Sequence, residues 1–77
     1  MDTLRLKYFS AVAESGSVRK AAEILRVSPP SLSKAISHLE QELDLQLFIR
    51  SGRNICLTDS GLRFAEKAKE ILRSIEE

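Results

Sequence analysis

Residues 17–43 read SVRKAAEILRVSPPSLSKAISHLEQEL, and this stretch decides the fold. Its first part places apolar side chains at positions 18, 21, 22 and 25, the spacing of one helix face, behind Ser17, a typical helix cap. Because proline is tolerated in the first turn of a helix and disruptive inside one, Ser28 and Pro29 predict the cap and first residue of a second helix. The buried stripe of that helix is predicted to be Leu32, Ile36, Leu39 and Leu43. Two such helices joined by a three-residue turn predict a helix-turn-helix.

The flanking residues predict one helix before this stretch, and a hairpin and a further helix after it. The first helix, residues 3–14, has an apolar face of Leu6, Phe9, Val12 and Ala13. Two β-prone runs, 47–50 and 55–58, surround the turn-forming sequence Ser51-Gly52-Arg53-Asn54, so they predict a hairpin with an arginine at its tip. Thr58 is predicted to cap the last helix, whose heptad-like seam consists of Phe64, Ala68, Ile71 and Ile75. The predicted fold is therefore mainly α.

Positive charge is segregated along a chain of 77 residues whose net charge is only +1. Residues 18–38 contain four Lys or Arg and one Glu, and residues 48–58 contain two Arg and no Asp or Glu. Segregated basic blocks can form a nucleic-acid footprint on a neutral chain, because only the contacting face has to be positive. Ordinary solvated helix faces give the same pattern, so charge alone leaves both interpretations open.

Enzyme chemistry has little support in this sequence. The chain has one cysteine, Cys56, and one histidine, His38. A single cysteine cannot form an intramolecular disulfide, and these two side chains cannot supply the four ligands of a structural zinc site. His38 is predicted on the polar face of the second helix of the helix-turn-helix, away from carboxylates, and Cys56 is predicted to be small packing filler. We therefore expect no catalytic residues, no metal and no cofactor. Without a long apolar run or a signal peptide, we expect no membrane association and a cytoplasmic location.

DNA binding fits the helix predicted over 29–43 better. A recognition helix needs short side chains that let it enter the major groove and long donors that reach bases or phosphates. Pro30 offers an apolar edge to a thymine methyl, Lys34 reaches guanine acceptors or phosphate, and Arg53 at the hairpin tip suits a narrow minor groove. The other candidates on this helix are Ser31, Ser33, Ser37 and His38.

The sequence resembles the amino-terminal domain of LysR-type transcriptional regulators over nearly all of its length. The residues that carry the resemblance include LKYF at 6–9, AVAESGS at 11–17, KAAE at 20–23, LSK at 32–34, GR at 52–53 and LT at 57–58. The resemblance implies a winged helix-turn-helix with a three-helix core and a hairpin wing over 47–57, followed by a linker helix that pairs with a second subunit. It implies a DNA-binding domain over 1–58, a linker helix over 59–77, and a separate domain beyond them that binds a small-molecule effector.

The resemblance also assigns roles to individual residues. Pro30, Ser33 and Lys34 match the recognition-helix contacts of the family, Arg53 matches its minor-groove residue, and Ser17 and Val18 lie where the preceding helix approaches the DNA backbone. Pro29 and Ala35 stand where polar side chains are common, and Lys34 replaces the commoner Arg, which gives up a bidentate fork. The complete predicted double-stranded DNA contact set is Ser17, Val18, Pro29, Pro30, Ser31, Ser33, Lys34, Ser37, His38, Arg50 and Arg53, and the predicted homodimer contacts are Phe64, Ala68, Ile71 and Ile75.

Two other interpretations remain open from the sequence. The chain is also compatible with a helical protein-interaction module that uses the seam of the last helix, with the helix-turn-helix as scaffold. It is equally compatible with a winged-helix regulator of another family, such as the molybdate-responsive type. Phosphate contacts predict that DNA binding falls steeply with salt, whereas the interaction module predicts no DNA binding.

Overall fold

The first helix, α1, spans Thr3–Ser15 in the computed structural model of the chain. The structure describes the backbone of residues 2–52 and 54–76 and the side chains of residues 2–52 and 54–75. Asp2 caps α1, its side chain accepting a hydrogen bond from the amide of Arg5 at 2.8 Å. The helix ends at Gly16, which adopts a left-handed conformation (φ 69°) that glycine enters without a steric penalty. α1 is thus one residue longer than predicted.

The helix-turn-helix has the predicted limits. α2 (Val18–Leu25) is capped by Ser17, whose hydroxyl accepts from the amide of Lys20 at 3.2 Å. α3 (Pro29–Leu43) is capped by Ser28, which accepts from the amide of Ser31 at 3.2 Å. The prediction from serine caps and a first-turn proline is therefore confirmed.

The hairpin pairs β1 (Phe48–Ser51) with β2 (Asn54–Leu57) in antiparallel register. Both strands are displaced by one residue from the predicted runs, since Ser51 pairs with Asn54 and leaves a two-residue turn. Gly52 supplies the positive φ (62°) that such a tight turn requires. The prediction that Cys56 is packing filler is wrong: its side chain is exposed, because Ile55 takes the inward position of β2.

The last helix, α4 (Asp59–Glu76), is capped by Thr58, whose hydroxyl accepts from the amide of Gly61 at 2.9 Å. Its side chains Phe64 and Ala68 lie in or against the same hydrophobic core as the other helices. The first half of α4 is consequently packed onto α1 and the hairpin rather than projecting away from them. In the described part of the chain, no helix has the length and hydropathy needed to cross a membrane.

Phe9 is the centre of the core. It is fully buried, and its ring lies 5.3 Å from that of Phe48 and 5.0 Å, edge to face, from that of Phe64. Such aromatic pairs add to the stabilisation from burial alone. One side chain of α1 thus connects the wing and α4. The other buried apolar residues are Leu6, Val12, Ala21, Ala22, Leu32, Ile36, Leu39, Leu47, Ile55 and Ala68.

Candidate nucleic-acid interface

A groove of about 1020 Å³ runs between α2, the start of α3 and the hairpin. Six predicted contact residues line it: Ser17, Val18, Pro29, Pro30, Ser33 and Arg50. Arg19 and Lys20 add two more positive charges, against the single carboxylate of Glu23. The groove is therefore a net positive concavity formed by three different elements.

The remaining predicted residues of α3 lie on its solvent face beyond the groove. Ser31, Lys34, Ser37 and His38 are all exposed. Leu32, Ile36 and Leu39 on the opposite face are buried, so the orientation of α3 is fixed by the core. The hydroxyl of Ser31 already accepts a hydrogen bond from that of Ser28 at 2.7 Å, which leaves its own proton available for a ligand.

Two contacts connect the hairpin to its neighbours, one to α3 and one to the turn between α1 and α2. The guanidinium of Arg50 lies 3.5 Å from the hydroxyl of Ser33, and the amide of Ile55 donates to the carbonyl of Gly16 at 3.4 Å. Arg50 is consequently placed at the edge of the α3 surface that carries the other candidate contacts. Arg53, the predicted minor-groove residue, lies outside the described residues.

His38 has a cationic neighbour that the sequence did not reveal. The guanidinium of Arg5 in α1 lies 3.5 Å from Nδ1 of His38 and forms an ion pair with Glu42 at 3.3 Å. These groups are exposed, and an ion pair between exposed groups adds little stability. The arrangement places a second basic side chain next to the C-terminal half of α3.

Arg19 and Lys20 are the functional candidates that residue-by-residue prediction missed. Both precede the paired alanines Ala21 and Ala22, whose burial against the core turns the basic pair outward. The signal that could have found them is the basic block of residues 18–38, which contains both.

The predicted homodimer contacts on α4 divide into two groups. Ala68 is fully buried within its own chain, and Phe64 packs on Phe9 and is only partly exposed. Ile71 and Ile75 are 41% and 56% exposed. The second half of the seam is thus the more exposed, because α1 packs against the first half, and the dimer contacts themselves stay a prediction.

Comparison with known proteins gives one consistent result. Residues 4–62 match the family described as bacterial regulatory helix-turn-helix protein, lysR family. The HTH-type transcriptional regulator YxjO of Bacillus subtilis (strain 168) is 47% identical over 72 residues, which are 94% of this chain and 25% of that protein. The chain thus spans about a quarter of the length of several curated relatives it matches, and 54% of one from Azotobacter vinelandii.

Solved structures of high similarity include two that contain DNA. The complex of the BenM DBD with benA site 1 DNA has a TM-score of 0.95 at 38% identity, covering 99% of this chain and 88% of that one. The CbnR DBD–DNA complex has a TM-score of 0.95 at 42% identity, covering 99% of this chain and 87% of that one. The similarity thus extends over the whole described fold.

Proposed function

This chain belongs to the lysR family of bacterial regulatory helix-turn-helix proteins, and from that premise we propose that it is the sequence-specific DNA-binding domain of a transcription regulator. The observation that carries the proposal is the positive groove between α2, α3 and the hairpin, lined by most of the predicted contact residues. The DNA complexes of BenM and CbnR support it by analogy.

In the proposed mode of binding, α3 enters the major groove of double-stranded DNA. Its N-terminal half contributes Pro29, Pro30 and Ser33 from the positive groove of the protein. Lys34, one helical turn after Pro30, reaches a guanine or a phosphate. The start of α2 lies against one DNA strand, where backbone amides and basic side chains bind phosphates. The residues concerned are Ser17, Val18, Arg19 and Lys20. The wing, with Arg50 and Arg53, approaches the adjacent minor groove.

Phosphate contacts predict a measurable salt dependence. If Arg19, Lys20, Lys34 and Arg50 each neutralise one phosphate, log K against log salt concentration falls with a slope of about −3 to −4 per chain. Affinity for duplex DNA then drops roughly 100-fold between about 50 and 200 mM salt. Fluorescence anisotropy with a labelled random-sequence duplex measures this. Absence of binding at both concentrations would favour the protein-interaction module instead.

The Lys20→Gln variant tests the groove directly. Removing one phosphate-neutralising charge is expected to reduce the salt slope by about 1. Lys69→Gln is the matched control, since Lys69 is an exposed lysine of α4 away from the groove. Equal slopes for Lys20→Gln and the parent chain would place the phosphate contacts elsewhere.

Dimerisation through α4 is part of the proposed function. The exposed apolar side chains on this helix are Leu62, Ile71 and Ile75. Ile71 and Ile75 are four residues apart and share one face of α4, whereas Leu62 lies on the opposite face. Burial of this isoleucine pair against a second α4 is favourable, since a small core gains from added apolar contact. The Ile71→Asp variant is expected to shift the sedimentation coefficient at micromolar concentration toward that of the monomer.

The control for dimerisation is the same change on a remote surface. Ile24 in α2 is 72% exposed, so Ile24→Asp is expected to leave the sedimentation profile as it is in the parent chain. If Ile71→Asp also left it unchanged, the dimer surface would not include Ile71.

The function of the whole regulator follows from its family as a further proposal. Because these relatives are about four times as long as this chain, we propose that the whole regulator also contains a domain that binds a small-molecule effector. The chain itself is proposed to be non-enzymatic, to need no cofactor, and to act in the bacterial cytoplasm on the nucleoid. A thermal shift on adding ligands to this chain alone would argue against a separate effector domain.

A further inference from the structure

The segment that leads into the hairpin, from Gln46 to the first residue of β1, Phe48, is held from both sides by residues that the proposed DNA contacts do not use. We call residues 46–48 the junction. From one side, Oε2 of Glu40 in α3 accepts hydrogen bonds from the amides of Leu47 at 2.7 Å and Phe48 at 3.3 Å. Hydrogen bonds to an ionised acceptor are about twice as strong as neutral ones. The recognition helix is therefore tied to the start of β1 by a two-point contact.

From the other side, Thr58 attaches the start of α4 to the same junction. Its hydroxyl donates to the carbonyl of Gln46 at 2.6 Å, and its amide donates to the carbonyl of Leu47 at 2.9 Å. The same hydroxyl accepts from the amide of Gly61, so one side chain both caps α4 and joins it to the junction.

Gly61 permits this close approach. A Cβ at Gly61 would collide with the carbonyl oxygen of Leu47 and lie 3.0 Å from a methyl group of Leu57. Any larger residue would consequently push the first turn of α4 off the junction. Leu47 itself is fully buried, which anchors the junction in the core.

We infer that the junction is a rigid coupling between the recognition helix and α4, and that it thereby sets the half-site spacing that a dimer of this chain accepts. The inference rests on the proposed function. In a dimer, the separation of the two α3 helices depends on the angle each makes with its own α4. Half-site spacing is in turn a geometric consequence of that separation. Glu40 and Thr58 are positioning residues, since neither belongs to the proposed DNA contacts.

The test compares paired variants on a set of duplexes. The first duplex contains two half-sites and is selected by the parent chain from a randomised pool. Further duplexes have two base pairs more or fewer between the half-sites. A duplex with a single half-site is the reference. Glu40→Ala and Thr58→Val remove the side-chain contacts to the junction and leave the backbone bond from residue 58 to Leu47, whereas Glu40→Gln and Thr58→Ser retain an acceptor oxygen and a hydroxyl. Thermal unfolding of each variant verifies that it is folded at the assay temperature.

The expected result separates coupling from stability. Glu40→Ala and Thr58→Val should bind the single half-site within about twofold of the parent, but lose at least about threefold of the discrimination between spacings. Glu40→Gln and Thr58→Ser should keep most of it. The coupling is overturned, and the proposed function is not, if folded Glu40→Ala or folded Thr58→Val shows the same dependence of affinity on half-site spacing as the parent chain. The same holds if the affinity of the parent chain does not depend on spacing. Failure of the parent chain to bind any duplex overturns the proposed function as well.

Discussion

Replacing Phe9 with alanine is expected to lower the free energy of unfolding by about 3–5 kcal/mol. The side chain is fully buried and its ring contacts Phe48 of the hairpin and Phe64 of α4, so the cavity would open where three elements meet. Total stability in small domains is commonly about 5–15 kcal/mol. Urea denaturation followed by circular dichroism measures the change.

Leu4→Ala provides the control for this prediction. Leu4 lies on the same helix but is 55% exposed, so its removal is expected to cost less than about 1 kcal/mol. A loss for Phe9→Ala no larger than that for Leu4→Ala would show that the three rings do not form the centre of the core.

The caps and the first-turn proline made the helix-turn-helix predictable. Ser17 and Ser28 form the side-chain hydrogen bonds expected of N-caps, and Pro29 begins α3. Local chemistry decided these boundaries, because each depends on residues within one helical turn. The limits of α2 and α3 could therefore be derived from sequence.

Which side chains of α4 and β2 face the core depends on tertiary packing, and the sequence pattern did not predict it. Phe64 and Ala68 satisfy a heptad pattern, but the same side chains pack on α1 in their own chain, and periodicity cannot distinguish these two partners. Cys56 likewise alternates in β2 with Ile55, and only the register with β1 determines which of the two faces inward. Contacts between distant segments, such as Arg5 with His38, leave no local signal.

Replacing Lys34 with alanine is expected to cost about 1–3 kcal/mol in binding to a selected operator duplex, which is about 5- to 150-fold in affinity. Lys34 is exposed on α3 while Leu32 and Ile36 hold the helix in place from its other face. The change therefore removes a DNA contact without opening the core. Gel-shift titration at fixed salt measures the loss, and discrimination at one base position should relax if the ammonium group contacts a base.

Lys69→Ala is the matched control for Lys34→Ala. It removes an exposed lysine from α4 and is expected to leave operator affinity within about twofold of the parent. Equal losses for Lys34→Ala on the selected duplex and on random duplex would reduce Lys34 to a phosphate contact. No loss on either would remove α3 from the proposed interface.

In the proposed complex, DNA binds the surface formed by α2, α3 and the hairpin. Amide chemical-shift mapping of the ¹⁵N-labelled chain, titrated with the selected duplex, tests it most directly. The account predicts that the largest shifts fall on Ser17, Val18, Arg19, Lys20, Ser31, Ser33, Lys34, Ser37, His38 and Arg50. The largest shifts on Leu62, Lys69 and Arg73 of α4, with the α3 amides unmoved, would contradict it.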